Sequence, residues 1–140
     1  MVQQDKIKIL DETFSSDQAN RKEIIDALCK KIFNYGIPIA ITEEELYLSL
    51  DEAITNAMEH GNRWDPQKKI KISVTTNSDT LTISIADQGN GFITTEFESN
   101  LKSRDILSIR GRGIYIINQF CKLSWNKKGN EIILQIKRKS

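Results

Sequence analysis

The spacing of apolar and polar positions changes several times along the chain, and each change predicts an element. Ile7 and Ile9 alternate with Lys6 and Lys8, the period of a short strand with one apolar face. From about Asp17 to Tyr35 the period lengthens to that of a helix. Ile24, Leu28 and Ile32 share a stripe there, with Ile25 and Phe33 beside them. Ser15, Ser16 and Asp17 offer caps, and Gly36 and Pro38 end the helix. A second helical stretch places Leu46, Leu50, Ala53 and Ala57 on one face. Thr42 with Glu45 three residues later forms a capping box at its start, and Gly61 is its expected stop.

After a loop from Arg63 to Lys69 the period drops to two. Ile70, Ile72 and Val74 alternate with Lys71, Ser73 and Thr75; Leu81, Ile83 and Ile85 alternate with Thr82, Ser84 and Ala86. Asn77-Ser78-Asp79 is the turn between them, so the pair reads as an antiparallel hairpin. The stretch 93–110 is long, polar and weakly periodic, as lids are. It runs into Gly111-Arg112-Gly113 and an apolar helix. Leu123 and Trp125, a Lys128-Gly129-Asn130 turn, and Ile132, Leu134 and Ile136 make a second hairpin. This order predicts one domain over 1–140, an α+β two-layer sandwich. Its sheet is expected to be mixed but mostly antiparallel, with helices on one face. The lid–helix crossover is the expected source of a parallel pair.

Composition narrows the class. A net charge of +1 over 140 residues gives no basic field, so nucleic acid is not favoured as a direct partner. No apolar run is long enough to span a bilayer and no hydrophobic signal region opens the chain, so no membrane association is expected. Cys29 and Cys121 sit in apolar periodic segments and form neither a metal spacing nor a disulfide framework, which fits a reducing cytoplasm.

Three short pieces carry candidate chemistry. On the second helix Glu52, Asn56 and His60 fall at i, i+4 and i+8, a carboxylate, an amide and the single histidine on one face. Asn56 has a carbonyl oxygen suited to Mg2+, and Glu52 can orient or deprotonate a nucleophile. Asp87 continues the row Leu81, Ile83, Ile85, so its carboxylate points to the apolar side, where it needs a hydrogen-bonding partner. Gly89 and Gly91 follow it and allow a ligand to approach the backbone. Gly111 and Gly113 open the third helix, whose N-terminal N–H groups make an anion site to which Arg110 and Arg112 can add charge. No P-loop, kinase glycine loop or H-R-D segment is present, and one histidine cannot build a typical zinc site.

In this order the three pieces resemble the Bergerat-fold (GHKL) ATP-binding superfamily over nearly the whole chain. Glu52 to Gly61 looks like its N-box, Asp87 to Phe92 like its first glycine box, and Gly111 to Ile114 like its second. The E-A-x-x-N-A-x-x-H-G form and the small size are most similar to bacterial anti-sigma-factor serine/threonine kinases. The resemblance implies ATP and Mg2+ as cofactors, with Asp87 accepting from the adenine amino group. It implies Asn56 as the metal ligand and Glu52 as the catalytic group acting on a protein hydroxyl. Gly89, Gly91, Arg110, Gly111, Arg112 and Gly113 would surround the nucleotide. The implied partners are a small antagonist protein that is phosphorylated, a sigma factor that is sequestered, and a second copy of the chain in a homodimer. The alternative is a nucleotide-dependent binding switch without phosphotransfer. Trp64, just after the N-box, is the expected fluorescent reporter of binding.

Overall fold

A computed structural model describes residues 6–90 and 109–139. The elements run β1 (Ile7–Ser15), a 3-10 turn (Gln18–Asn20), α1 (Arg21–Asn34), α2 (Glu43–Asn56) and a π-helical turn (Ala57–Gly61). They continue with β2 (Lys69–Thr76), β3 (Thr80–Ala86), α3 (Ile109–Asn118), β4 (Lys122–Trp125) and β5 (Glu131–Lys137). The stretch 93–108, expected to be a lid, lies outside the described residues, as does Gly91.

One sheet has the order β1-β2-β3-β5-β4, and each of its four strand pairs is antiparallel. The parallel pair expected from the crossover is not formed among the described residues. β5 inserts between β3 and β4, so those two strands share a direction without hydrogen-bonding. The registers put apolar side chains in rows across the sheet. Ile72, Ile85 and Ile132 make one row, and Val74, Ile83 and Leu134 the next. All six are buried, each adding about 1.5–3 kcal/mol of transfer free energy. The other face carries Lys71, Ser73, Thr82 and Ser84. The helices therefore cover one face, with α2 packed against both α1 and α3. This is the α+β sandwich that the alternation predicted.

β1 departs from its simple alternation. The register slips between Lys8 and Leu10, so Ile9 is an extra residue opposite β2. The bulge sends both Ile9 and Leu10 into the core and leaves Ile7 half exposed. β1 also runs on to Ser15, where the sequence shows no apolar alternation, because β2 supplies its hydrogen bonds.

The helix ends follow their local chemistry. Asp17 caps the 3-10 turn through the Ala19 N–H (3.0 Å). Thr42 accepts from the Glu45 N–H at 3.1 Å while Glu45 accepts from the Thr42 N–H at 2.8 Å, the complete capping box. α1 is ended by Gly36 at φ +87°, a conformation that excludes most side chains.

Candidate nucleotide site

α2 supplies the floor of a cavity between the helix layer and the end of the sheet, through Ala53, Asn56 and Ala57. β3 and its continuation add Ile85 and Asp87, and α3 adds Ile114. The far wall is the β4–β5 turn, with Trp125, Gly129, Asn130 and Ile132. Apolar walls with a carboxylate and two amides are the profile of a small-molecule site. The cavity measures about 20 Å³, room for roughly one water molecule.

Asp87 and Asn56 are each 9% exposed and share this cavity, although 31 positions separate them in the chain. The Asp87 carboxylate accepts from the Gly89 N–H at 2.7 Å. Its backbone N–H donates to the Asn130 carbonyl at 2.8 Å. Asn56 Nδ2 is buried with no hydrogen-bond partner among the described residues. A buried donor without a partner costs free energy that a ligand's acceptor atom would recover, so this amide marks the cavity as a candidate binding site. Glu52 lies one turn earlier on α2, half-buried. Burial raises its carboxyl above the usual range, the Asp51 charge adds to the rise, and the Arg21 guanidinium opposes it. Arg21 reaches across from α1 to ion-pair with Asp51 and to approach Thr55 Oγ1 at 3.3 Å.

Glycines set how closely these pieces meet. A Cβ on Gly61 would lie 2.7 Å from Asp87 Oδ1 and nearer still to its Cγ. A Cβ on Gly89 would lie 2.7 Å from the Gly61 carbonyl carbon, and one on Gly113 2.6 Å from Glu52 Oε2. Gly61 was expected to stop the helix. The π-helical turn that continues α2 does end at Gly61, with Asn62 as its C-cap, but the left-handed residues are Arg63 (φ 55°) and Trp64 (φ 56°). Gly61 is needed because the Asp87 carboxylate occupies the space of its missing side chain. Gly113 likewise lies inside α3, not ahead of it, and lets α3 close on Glu52 and Asn56. Arg110, Gly111 and Arg112 also belong to the backbone of α3; their side chains are outside the described residues. His60 faces Glu59 at 3.6 Å and does not line the cavity. Trp125 lines the cavity and Trp64 does not, so Trp125 is the better placed fluorophore.

Sequence reasoning missed two residues that organise the site, Asn130 and Asn62. The wholly buried Asn62 amide donates to Ser16 Oγ (2.6 Å) and the Lys69 carbonyl (2.8 Å) and accepts from the Gln88 N–H (2.7 Å). It thus pins the residue after Asp87 to the ends of β1 and β2. Asn62→Ala is expected to cost about 2–3 kcal/mol, since three hydrogen bonds of a buried amide are lost at once. Urea denaturation measures this through the midpoint; a loss under about 0.5 kcal/mol would deny Asn62 that role.

The donor set suits a hard divalent cation. Asn56 carries an amide oxygen, and Mg2+ is usually held by one or two protein oxygens together with phosphate and water. Among the described residues no group of three or more His, Cys, Asp or Glu side chains is placed to hold a metal ion. Among the described residues no helix is long and apolar enough to cross a membrane. Both cysteines are free and buried, with thiols pushed up to about 11 by burial, so neither offers a thiolate at neutral pH.

Comparison with known proteins agrees with this geometry. Among solved structures the chain is similar to a mycobacterial sensor histidine kinase, MprB, with a TM-score of 0.57 at 13% identity. The match covers 98% of this chain and 99% of that one, and at this identity it establishes the fold. No curated protein matches the chain. The model of the histidine kinase-like ATPase domain matches residues 14–136. By that match the chain belongs to the histidine kinase-like ATPase domain family, and it is an ATP-binding domain.

Proposed function

We propose that this domain is an ATP- and Mg2+-dependent serine/threonine protein kinase that also acts as an anti-sigma factor. It phosphorylates a small antagonist protein and sequesters a sigma factor as a homodimer. One observation carries the catalytic part. Glu52 and Asn56 share a face of α2 with Gly113 of α3 closed against them, and Asn56 lines the cavity together with Asp87. Asp87 accepts from the adenine amino group. Gly89, and Gly91 beyond it, let the backbone pass close to the nucleotide. Asn56 offers its amide oxygen to Mg2+, which when bound neutralises phosphate charge. Glu52 orients the attacking serine or threonine hydroxyl and takes its proton. The start of α3, with Arg110, Gly111, Arg112 and Gly113, receives the phosphates. Phosphoryl transfer asks the protein mainly for position and charge neutralisation. The remaining support is the E-A-x-x-N-A-x-x-H-G form of α2.

The test starts with a Mg-ATP titration followed by Trp fluorescence or calorimetry. Transfer from γ-labelled ATP into soluble extract proteins is then measured, with Glu52→Gln as control. Acid-stable phosphoserine or phosphothreonine that requires Glu52 is the expected product. ATP binding without Glu52-dependent transfer would leave a nucleotide-dependent binding switch, and acid-labile phosphohistidine would overturn the serine/threonine assignment.

A further inference from the structure

We infer that the β4–β5 turn carries a positioning relay, Asn126 to Asn130 to Asp87, which holds the base-reading carboxylate and so sets the choice between a 6-amino and a 6-oxo purine. The inference rests on Asp87 being the acceptor of the adenine amino group, and it adds two residues outside the three motifs.

The relay follows from donor and acceptor counting. Asn126 Oδ1 accepts three backbone N–H groups, those of Gly129 (2.8 Å), Asn130 (3.1 Å) and Glu131 (3.2 Å). That triple load settles which end of the amide is oxygen. Its Nδ2 then faces Asn130 and donates to Asn130 Oδ1 at 2.7 Å. The Asn130 amide is oriented in turn: its oxygen is taken, and its Nδ2 donates to the Asp87 carbonyl at 3.1 Å. The Asp87 N–H returns a bond to the Asn130 carbonyl at 2.8 Å. One residue therefore grips both backbone polar groups of Asp87.

The grip lies where it has an effect. The β3–β5 ladder ends at Ala86 opposite Glu131, so Asp87 and Asn130 are one step past the last strand pair. Strand ends fray unless side chains hold them. Asn130 lines the cavity, whereas Asn126 does not touch it. Asn126 is thus a positioning residue that acts through Asn130. The left-handed Gly129 (φ 79°) lets the turn close tightly enough for Asn126 to reach all three N–H groups.

The experiment compares Kd for ATP with Kd for ITP, which carries an oxygen where adenine carries the amino group. The wild-type protein should prefer ATP by about 100-fold or more, as sites built to read one polar group do. Asn126→Asp keeps the oxygen that caps the turn but replaces the Nδ2 donor with a second oxygen. The Asn130 amide then turns over and its bond to Asp87 is lost. The ATP/ITP preference should fall about fivefold, the worth of one neutral hydrogen bond. Asn130→Ala leaves the Asn126 cap untouched and should give the same fall. The double variant should fall no further than either single one, because the two act in series. Thermal melting checks that each variant is folded. Two folded variants that keep the wild-type preference, or that weaken ATP and ITP by one common factor, would overturn the relay. The two readings separate cleanly. If Asp87→Asn itself leaves the preference intact, the assignment of Asp87 fails and the relay with it. If Asp87→Asn abolishes the preference while Asn126→Asp and Asn130→Ala do not, the relay alone fails.

Discussion

Asp87→Asn is expected to weaken Mg-ATP binding by about 10–10²-fold while leaving the protein folded. The carboxylate accepts from the Gly89 N–H through Oδ1, in a pocket whose other walls are Ile85, Ile114 and Ile132. A 6-amino purine brings a donor to that wall. The asparagine amide has the same shape but presents one oxygen and one NH2. If the oxygen stays with Gly89, the NH2 meets the purine amino group, two donors face to face. If the amide turns over, the Gly89 N–H loses its acceptor. Either way one buried polar group is left unsatisfied, and bonds to a charged acceptor are the costlier ones to lose, about 1.5–3 kcal/mol each. Calorimetric titration of both proteins measures the effect. ATP affinity within about threefold of wild type would remove Asp87 from the base site.

Much of this arrangement could be read from period and spacing. Asp87 follows Leu81, Ile83 and Ile85 at a period of two, and that alone places a carboxylate on the buried face. The capping box at Thr42 and Glu45 and the shared face of Leu46, Leu50, Ala53 and Ala57 fix how α2 lies on the sheet, and so which way Glu52 and Asn56 point. Side-chain pattern does not report which strands become neighbours. Nothing in the residues of β3, β4 and β5 states that β5 lies in the middle, so the sheet's wholly antiparallel pairing is visible only in its registers. The bulge at Ile9 is hidden for a similar reason, because it is a relation between two strands. Gly61 shows the limit for glycines. Its place at the end of a helix suggests a cap, but the constraint comes from Asp87, which packs directly against it from another element. Asn62, Asn126 and Asn130 lie at a helix end and a turn, where asparagine is common for local reasons. Their long-range bonds leave no mark in composition. One signal was available: Asn126 and Asn130 flank Gly129, a pattern of two amides around a glycine turn.

Glu52→Gln is expected to lower phosphoryl transfer by about 10²–10⁴-fold with ATP affinity unchanged within about threefold, since glutamine keeps the side-chain volume and a carbonyl oxygen. The pH profile distinguishes a base from a spacer. Burial raises the Glu52 carboxyl first, the neighbouring Asp51 charge adds to the rise, and Arg21 works against it. A base acts in its deprotonated form. Wild-type transfer should therefore rise with pH through this raised pKa, on an acid limb lying above the range of an ordinary glutamate, and level off beyond it. Below the pKa the rate should fall about tenfold per pH unit. Glu52→Gln has no such group, so its residual rate should lack the limb. The same shift has an opposite consequence for stability. A carboxyl whose pKa is higher in the folded state binds its proton more tightly there. Its contribution to stability is fully present below the unfolded pKa and is lost as pH rises through the folded value. At neutral pH the ionised Glu52 thus disfavours the fold slightly, and Glu52→Gln should melt at or just above the wild-type temperature. A variant that loses transfer and also melts lower would be losing structure; one that loses transfer but retains the acid limb would place the base on another residue. Loss of the limb with stability kept is the combination that a proton-accepting carboxylate on α2 requires.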